Sequence, residues 1–246
     1  MKRLTLLLLF STLFICQLSA QVGDPRRDVA VGISGGYALN QVSFSPHVSQ
    51  GMHGGMMMGV MARYTCEKYF SMICAVQGEL NYMQLGWKED ITTSTDTYSR
   101  NVNYLQMPLL VNIGFGRERG GVKGYIVAGP HLGYCIGDSE ERGGEWSEES
   151  LSKRFRKEQY DKEIEKKFDY GITAGAGMDV STRSGHHFTL EARFGLSLSN
   201  IFNSTKQDTF SRSANNTVTI KFAYLFDILK SKNIPPRVKK AKKQPQ

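Results

Sequence analysis

The stretch from Phe188 to Leu198 reads FTLEARFGLSL, and it decides the fold of this chain. Every second residue from Phe188 to Leu198 is apolar, whereas Glu191 and Arg193 lie on the other parity. A period of two indicates a β-strand, because successive side chains point to opposite faces. One apolar and one charged face fit a wall with lipid outside and an ion-paired interior, the signature of a transmembrane β-barrel.

The same alternation recurs in seven other stretches of the chain, and we predict a strand in each. They are residues 28–39, 55–65, 70–87, 101–115, 122–136, 168–180 and 217–226. An even number of strands is what a closed single-chain barrel of this kind requires. The sequence therefore predicts an all-β fold, an eight-stranded antiparallel transmembrane β-barrel with up-and-down topology.

The connections between these strands alternate in length. Long ones follow the odd-numbered strands at residues 40–54, 88–100, 137–167 and 199–216, and short ones follow the even-numbered strands. Outer-membrane barrels have short periplasmic turns and long external loops. Both termini are therefore expected on the periplasmic side.

The first twenty residues have the composition of a secretory signal. Lys2 and Arg3 precede an apolar run, and the chain then reaches Leu18-Ser19-Ala20, after which we expect cleavage. A lipoprotein signal ending at Cys16 fits less well, because the bulky Ile15 precedes the cysteine. We thus expect a signal peptide at 1–20, an outer-membrane barrel in contact with lipid at 21–227 and a basic periplasmic tail at 228–246.

The formal net charge of +8 is concentrated at the two ends of the sequence. Lys2 and Arg3 belong to the signal, and residues 228–246 contain seven basic residues and no acid, which leaves the body near −1. The body therefore has no basic footprint for nucleic acid, and we expect no nucleic-acid partner. For the tail two interpretations stay open, anionic lipid headgroups or an acidic patch on a periplasmic partner, contacted through Lys239, Lys240, Lys242 and Lys243.

The inward parity of the predicted strands contains charged residues of both signs. An eight-stranded barrel is only wide enough to be filled by its own side chains, and buried charges must pair. We therefore expect an ion-pair network in the lumen rather than a conducting path. Its predicted members are Arg63, Glu79, Lys123, Asp169, Asp179, Glu191, Arg193 and Lys221.

Two further features suggest specific contacts. Cys66 and Cys74 flank a short turn on the same parity, which predicts a cross-strand disulfide. The connection 137–167 contains Trp146, and its part 150–166 has a helical composition, so we expect a partner to dock around Trp146, Leu151 and Phe155. A solvated external helix is the alternative.

The strand Tyr104-Leu105-Gln106-Met107-Pro108-Leu109-Leu110 follows a Gly-rich first hairpin and resembles the PorT-type family of small outer-membrane β-barrels. That resemblance implies a role in type IX protein secretion together with other secretion subunits, without an active site or cofactor. The alternative is a passive or adhesive barrel. A lipid A-modifying enzyme would need a serine activated by a histidine, and His187, Glu191 and Ser197 are too far apart on one extended strand to provide it. No cysteine and histidine spacing indicates a metal site.

Overall fold

The computed structural model describes residues 24–69, 71–91, 95–117, 119–146, 158–205 and 208–231. The predicted signal peptide and the tail beyond residue 231 lie outside these ranges. The described part contains strands β1 Asp24–Ser45, β2 Gln50–Gly51, β3 His53–Tyr69, β4 Met72–Glu89, β5 Thr97–Gly116, β6 Gly121–Gly143, β7 Phe168–Ser181, β8 His186–Ser197 and β9 Arg212–Leu229.

Eight of these strands form a closed antiparallel ring. Each pairs with the next in chain order, and β1 pairs with β9 to complete the ring. The two-residue strand β2 is an addition within the first long connection, where it pairs with β4. The predicted eight-stranded antiparallel barrel is therefore confirmed, and the loop lengths identify its external end as the end with the long connections.

The outside of the ring is apolar along every strand. Ile33 is 65% exposed, Phe115 54% and Leu190 54%, and their neighbours on the opposite parity point into the lumen. Soluble monomers rarely expose apolar patches larger than a few hundred Å². Burying one such side chain in hydrocarbon is worth about 1.5–3 kcal/mol, so lipid is the solvent that stabilises this surface. In the described ranges, no helix is long and apolar enough to cross a membrane.

Several strands extend beyond their predicted ends on the external side. β6 continues to Gly143 and pairs there with Thr97 at the start of β5, well beyond the apolar alternation. β4 approaches the extended part of β5 closely at Gly86, which has a φ of +142°. A Cβ at Gly86 would lie 1.8 Å from the carbonyl oxygen of Arg100, so only glycine fits there.

Candidate functional site: the filled lumen and its two mouths

The middle of the lumen is occupied by a cluster of two acids and two bases, which we call the central cluster. The Glu79 carboxylate accepts hydrogen bonds from Arg193 Nη1 at 2.9 Å and from Lys221 Nζ at 2.7 Å. Glu191 accepts from Arg193 Nε and, at 2.8 Å, from the Tyr125 hydroxyl. All four charged side chains are buried. Their charges balance, which is the condition for keeping ions out of water.

A second cluster lies between the central cluster and the periplasmic mouth. Asp179 pairs with Arg63 Nη1 at 2.7 Å and with Lys123 Nζ at 3.4 Å. His187 lies between two carboxylates, with Nδ1 3.0 Å from Asp179 and Nε2 3.1 Å from Asp227. The structure thus connects β3, β6, β7, β8 and β9 near their periplasmic ends.

The third polar group lies toward the external end and differs from the expected network. Asp169 accepts hydrogen bonds from Ser197 Oγ at 3.0 Å and Ser199 Oγ at 2.5 Å. His131 Nε2 lies 3.5 Å from the same carboxylate, while its Nδ1 is 2.8 Å from the Thr173 hydroxyl. No arginine or lysine of the described chain lies within ion-pair distance of Asp169. Seven of the eight residues expected in one network therefore form ion pairs between a carboxylate and a lysine or arginine. Asp169 instead accepts hydrogen bonds from serine hydroxyls.

Two small cavities lie on either side of the central cluster. One has a volume of about 20 Å³ and is lined by His131, Arg193 and Thr217 among others. The other offers about 30 Å³ beside Arg63 and His187. A single water needs roughly 10–15 Å³ on this measure. Each cavity has room for a few waters at most, so the lumen is filled by side chains.

The external mouth is closed by an aromatic core, which we call the cap. Phe44 packs against Trp87 with ring centroids 5.3 Å apart and against Phe210 at 5.0 Å. Phe202 stacks on Phe210 at 5.8 Å, and Ile164 is buried in the same core. Three of these residues come from the long connections rather than from strands. The cap is therefore built jointly by the external ends of the strands and by the external loops that fold over the barrel.

Trp146 lies half-buried at the edge of the cap. Its ring contacts Tyr160 at 5.3 Å and Tyr98 at 6.1 Å, and the Arg142 guanidinium lies 5.1 Å from its centroid. Its Nε1 donates a hydrogen bond to the Gly143 carbonyl at 3.0 Å. The expected docking residue is thus already packed against its own chain. Leu151 and Phe155 lie outside the described residues, as do Lys239, Lys240, Lys242 and Lys243.

Of the segment expected to be helical, only 158–166 is described, and it forms a turn followed by irregular chain. Arg100 fixes this segment to the barrel, a role that the sequence analysis missed. Arg100 donates to Asp138 at 2.5 Å, to the Lys162 carbonyl at 2.6 Å and pairs with Glu140 at 2.9 Å. Tyr98, Arg100 and Val102 share the inward parity of β5. Following that parity beyond the end of the apolar alternation would have predicted that Arg100 faces inward.

The expected disulfide is absent from the structure, in which Cys66 and Cys74 are both free thiols. A bulge in β3 between Thr65 and Glu67 shifts the register, and Cys74 pairs with Glu67 instead of Cys66. The prediction assumed a regular turn, and the extra residue of the bulge removes Cys66 from the opposing position.

The residues considered for catalysis are separated. His187 belongs to the periplasmic cluster, whereas Ser197 donates to Asp169 near the external end. Where a histidine contacts a serine or threonine hydroxyl in the described chain, at His131 and Thr173, the pair is buried beside a cavity with room for little more than water. Among the described residues, no group of three or more potential metal ligands occurs.

A closed antiparallel ring with an apolar outside and a filled, ion-paired inside defines a transmembrane β-barrel. The sequence matches the family described as outer membrane protein beta-barrel domain over residues 19–203. The chain therefore belongs to this family, and it is a protein of the outer membrane.

Solved structures similar to this chain are small bacterial outer-membrane proteins. They include Ail, the attachment invasion locus protein of Yersinia pestis, at 13% identity over 80% of this chain and 98% of that one, with a TM-score of 0.37. OprG from Pseudomonas aeruginosa is 11% identical over 83% and 98%, with a TM-score of 0.47. Neisserial surface protein A is 12% identical over 79% and 95%, with a TM-score of 0.39. Among curated proteins, none matches the chain.

Proposed function

We propose that this barrel is a non-enzymatic component of protein secretion to the cell surface, of the type IX kind. The observation that carries the proposal is the filled lumen, in which the central cluster lies between two water-sized cavities. Cargo has no way through such a barrel, so the protein acts through its surface. The PorT-like strand from Tyr104 to Leu110 supports the choice of secretion system.

Two segments at opposite ends are the proposed contacts with other secretion subunits. The external one is residues 147–157 with Leu151 and Phe155, which connect Trp146 at the edge of the cap to Glu158 in the sequence. The periplasmic one is the basic tail. Its exit point is fixed, because Ser231 donates its backbone N–H to Asp28 and accepts from Arg119 Nη2 at 3.2 Å.

A gene deletion tests the proposed function directly. Cells without the protein should accumulate secreted cargo in the periplasm while the outer membrane stays impermeable to large antibiotics. Cargo is measured by immunoblotting of periplasm, surface and medium. Normal secretion together with a leaky envelope would reject the secretion role.

The external contact is tested by replacing residues 147–157 with a Gly/Ser linker of equal length. This change keeps Trp146, Tyr160 and Ile164, so the cap should persist and folding, read as heat-modifiable gel migration, should be unchanged. Secretion should be lost. As a control, a Gly/Ser replacement of residues 92–94, a shorter segment of another external connection, should leave secretion intact.

The periplasmic contact is tested by reversing Lys239, Lys240, Lys242 and Lys243 to Glu. The barrel should still insert, while cross-linking to an acidic periplasmic subunit weakens and secretion slows. If cross-links and secretion both persist, the tail is a solvated terminus without a partner.

The second candidate is a passive or adhesive barrel. It is favoured by the cap, because external loops that fold over the mouth provide a fixed surface toward the environment. A lipid A-modifying enzyme is the weakest candidate, since in the described chain the histidine that contacts a threonine hydroxyl, His131, is buried in the lumen, away from lipid. Normal secretion with impaired attachment in the gene deletion would select the adhesive role.

A further inference from the structure

Three arginines at the periplasmic end are exposed and have no side-chain partner within the described ranges. Arg27 lies at the start of β1, Arg117 follows β5, and Arg183 lies in the turn between β7 and β8. None of their side chains forms a hydrogen bond or an ion pair with any other residue that the structure describes. The neighbouring Arg119 differs, because it pairs with Asp28 at 3.6 Å.

Two of these arginines meet on one turn. A Cβ placed on Gly120 would lie 2.8 Å from Arg183 Cγ, and one on Gly121 would lie 2.7 Å from Arg117 Cβ. The aliphatic carbons of two arginines from different turns therefore pack against the same pair of glycines. Gly120 has a φ of +64°, a conformation that favours glycine, so the turn itself keeps this space free of a side chain.

The arginines lie at the edge of the lipid-facing surface. Phe115 is 54% exposed on the outside of β5, and Arg117 follows it by two residues, about 7 Å further along the strand direction. Tyr69 and Phe226 are exposed at the same end. Aromatic residues of this kind mark the membrane–water interface. The next layer outward from that interface is the phosphate layer of the lipid headgroups.

We propose that Arg27, Arg117 and Arg183 bind phosphate groups of the periplasmic leaflet and select anionic phospholipids. A guanidinium matches phosphate with two parallel hydrogen bonds. Selection follows because none of the three positive charges has an acidic partner among the described residues, and an anionic headgroup such as phosphatidylglycerol has no ammonium group to offset its phosphate. Each arginine near the surface should favour anionic lipid about fivefold. This inference goes beyond the proposed function and does not depend on it.

The test uses the full-length protein in detergent with an equimolar mixture of phosphatidylglycerol and phosphatidylcholine, with retained lipids counted by native mass spectrometry. The wild-type protein should retain phosphatidylglycerol in preference. Arg27→Gln, Arg117→Gln and Arg183→Gln should each lower this preference about fivefold, and the triple variant should abolish it. Heat-modifiable migration confirms that each variant is folded.

A control variant removes three exposed cations at the external end, Lys88→Gln, Lys166→Gln and Arg212→Gln, and should keep the preference. Equal retention of both lipids by the wild type would overturn the proposal, as would an unchanged preference in the triple variant or an equal loss in the control. Lost secretion with unchanged lipid preference would assign the arginines to an acidic protein partner and would also overturn it. Failure of the secretion role in the gene deletion leaves this lipid measurement unaffected.

Discussion

The cap and the central cluster both fill the same barrel, but they do so with opposite chemistry. The central cluster consists of charged side chains that three strands, β4, β8 and β9, place at fixed register positions. The cap consists mainly of aromatic rings, several of which come from loops. An ion pair depends on one specific partner, whereas an apolar core depends on total contact area. A single substitution should therefore disrupt the central cluster, whereas the cap should lose stability gradually as contact area is removed.

The largest expected effect comes from Glu79→Ala in the central cluster. It leaves Arg193 and Lys221 buried without their main counter-charge. Breaking a buried pair in this way costs about 3–5 kcal/mol. We expect the free energy of unfolding in lipid vesicles, measured by urea titration, to fall by that amount.

The matched control for Glu79→Ala is Glu141→Ala on the exposed external rim, where the change should stay within about 0.5 kcal/mol. If both variants unfold at the same urea concentration, the central cluster contributes no specific stability and the contrast with the cap is wrong.

Phe202→Ala should have a somewhat smaller and more local effect. The ring is fully buried between Phe44 and Phe210, and its removal should cost the cap about 3 kcal/mol. The external loops should then be cleaved by protease on the order of a hundredfold faster, because local opening becomes easier. Heat-modifiable migration of the barrel should not change.

Phe168→Ala serves as the control for Phe202→Ala, because Phe168 is at the same end but 54% exposed on the outside. Loop cleavage in this variant should match the wild type. Equal acceleration in both variants would show that the cap does not hold the loops.

The smallest effect is expected for Arg142→Ala. Its side chain is one-third exposed and pairs with Glu140 at 2.8 Å beside Trp146. A partly exposed pair with a cation–π contact contributes about 1 kcal/mol or less. Acrylamide quenching of tryptophan fluorescence should rise slightly, and high salt should reduce the difference from wild type. A large loss of stability would show that the rim of the cap depends on ion pairs, as the central cluster does.

The ring itself could be predicted from the sequence because lipid imposes one simple rule on every strand. Residues such as Ile33, Leu190 and Ile220 must be apolar where they face hydrocarbon, so the alternation is regular and the strand count is correct. The same rule identified which charged residues face inward. It could not identify their partners, because pairing depends on the relative register of strands that are far apart in the sequence. Asp169, bound by serine hydroxyls rather than by a base, shows that limit.

The cap could not be predicted, for a related reason. Above the membrane the barrel wall no longer needs an apolar outside, so the strand extensions around Asp138 and Glu140 have no hydrophobic period. Phe202 and Phe210 are single aromatic residues in irregular chain, and only the folded loops bring them together. The bulge that displaces Cys66 is equally invisible in the sequence, since one extra residue leaves no compositional sign.

The pairing of β1 with β9 determines when this protein can become a barrel. The two strands lie at opposite ends of the described chain, so the contact that closes the ring has the greatest sequence separation in the fold and is slow to form. Lys221, which is on β9, reaches Glu79 only with that last strand. Until then the chain has two open strand edges and a central cluster with two acids but only one base, Arg193, which favours aggregation over insertion. Assembly therefore requires that the chain be kept unfolded until its final strand reaches the membrane.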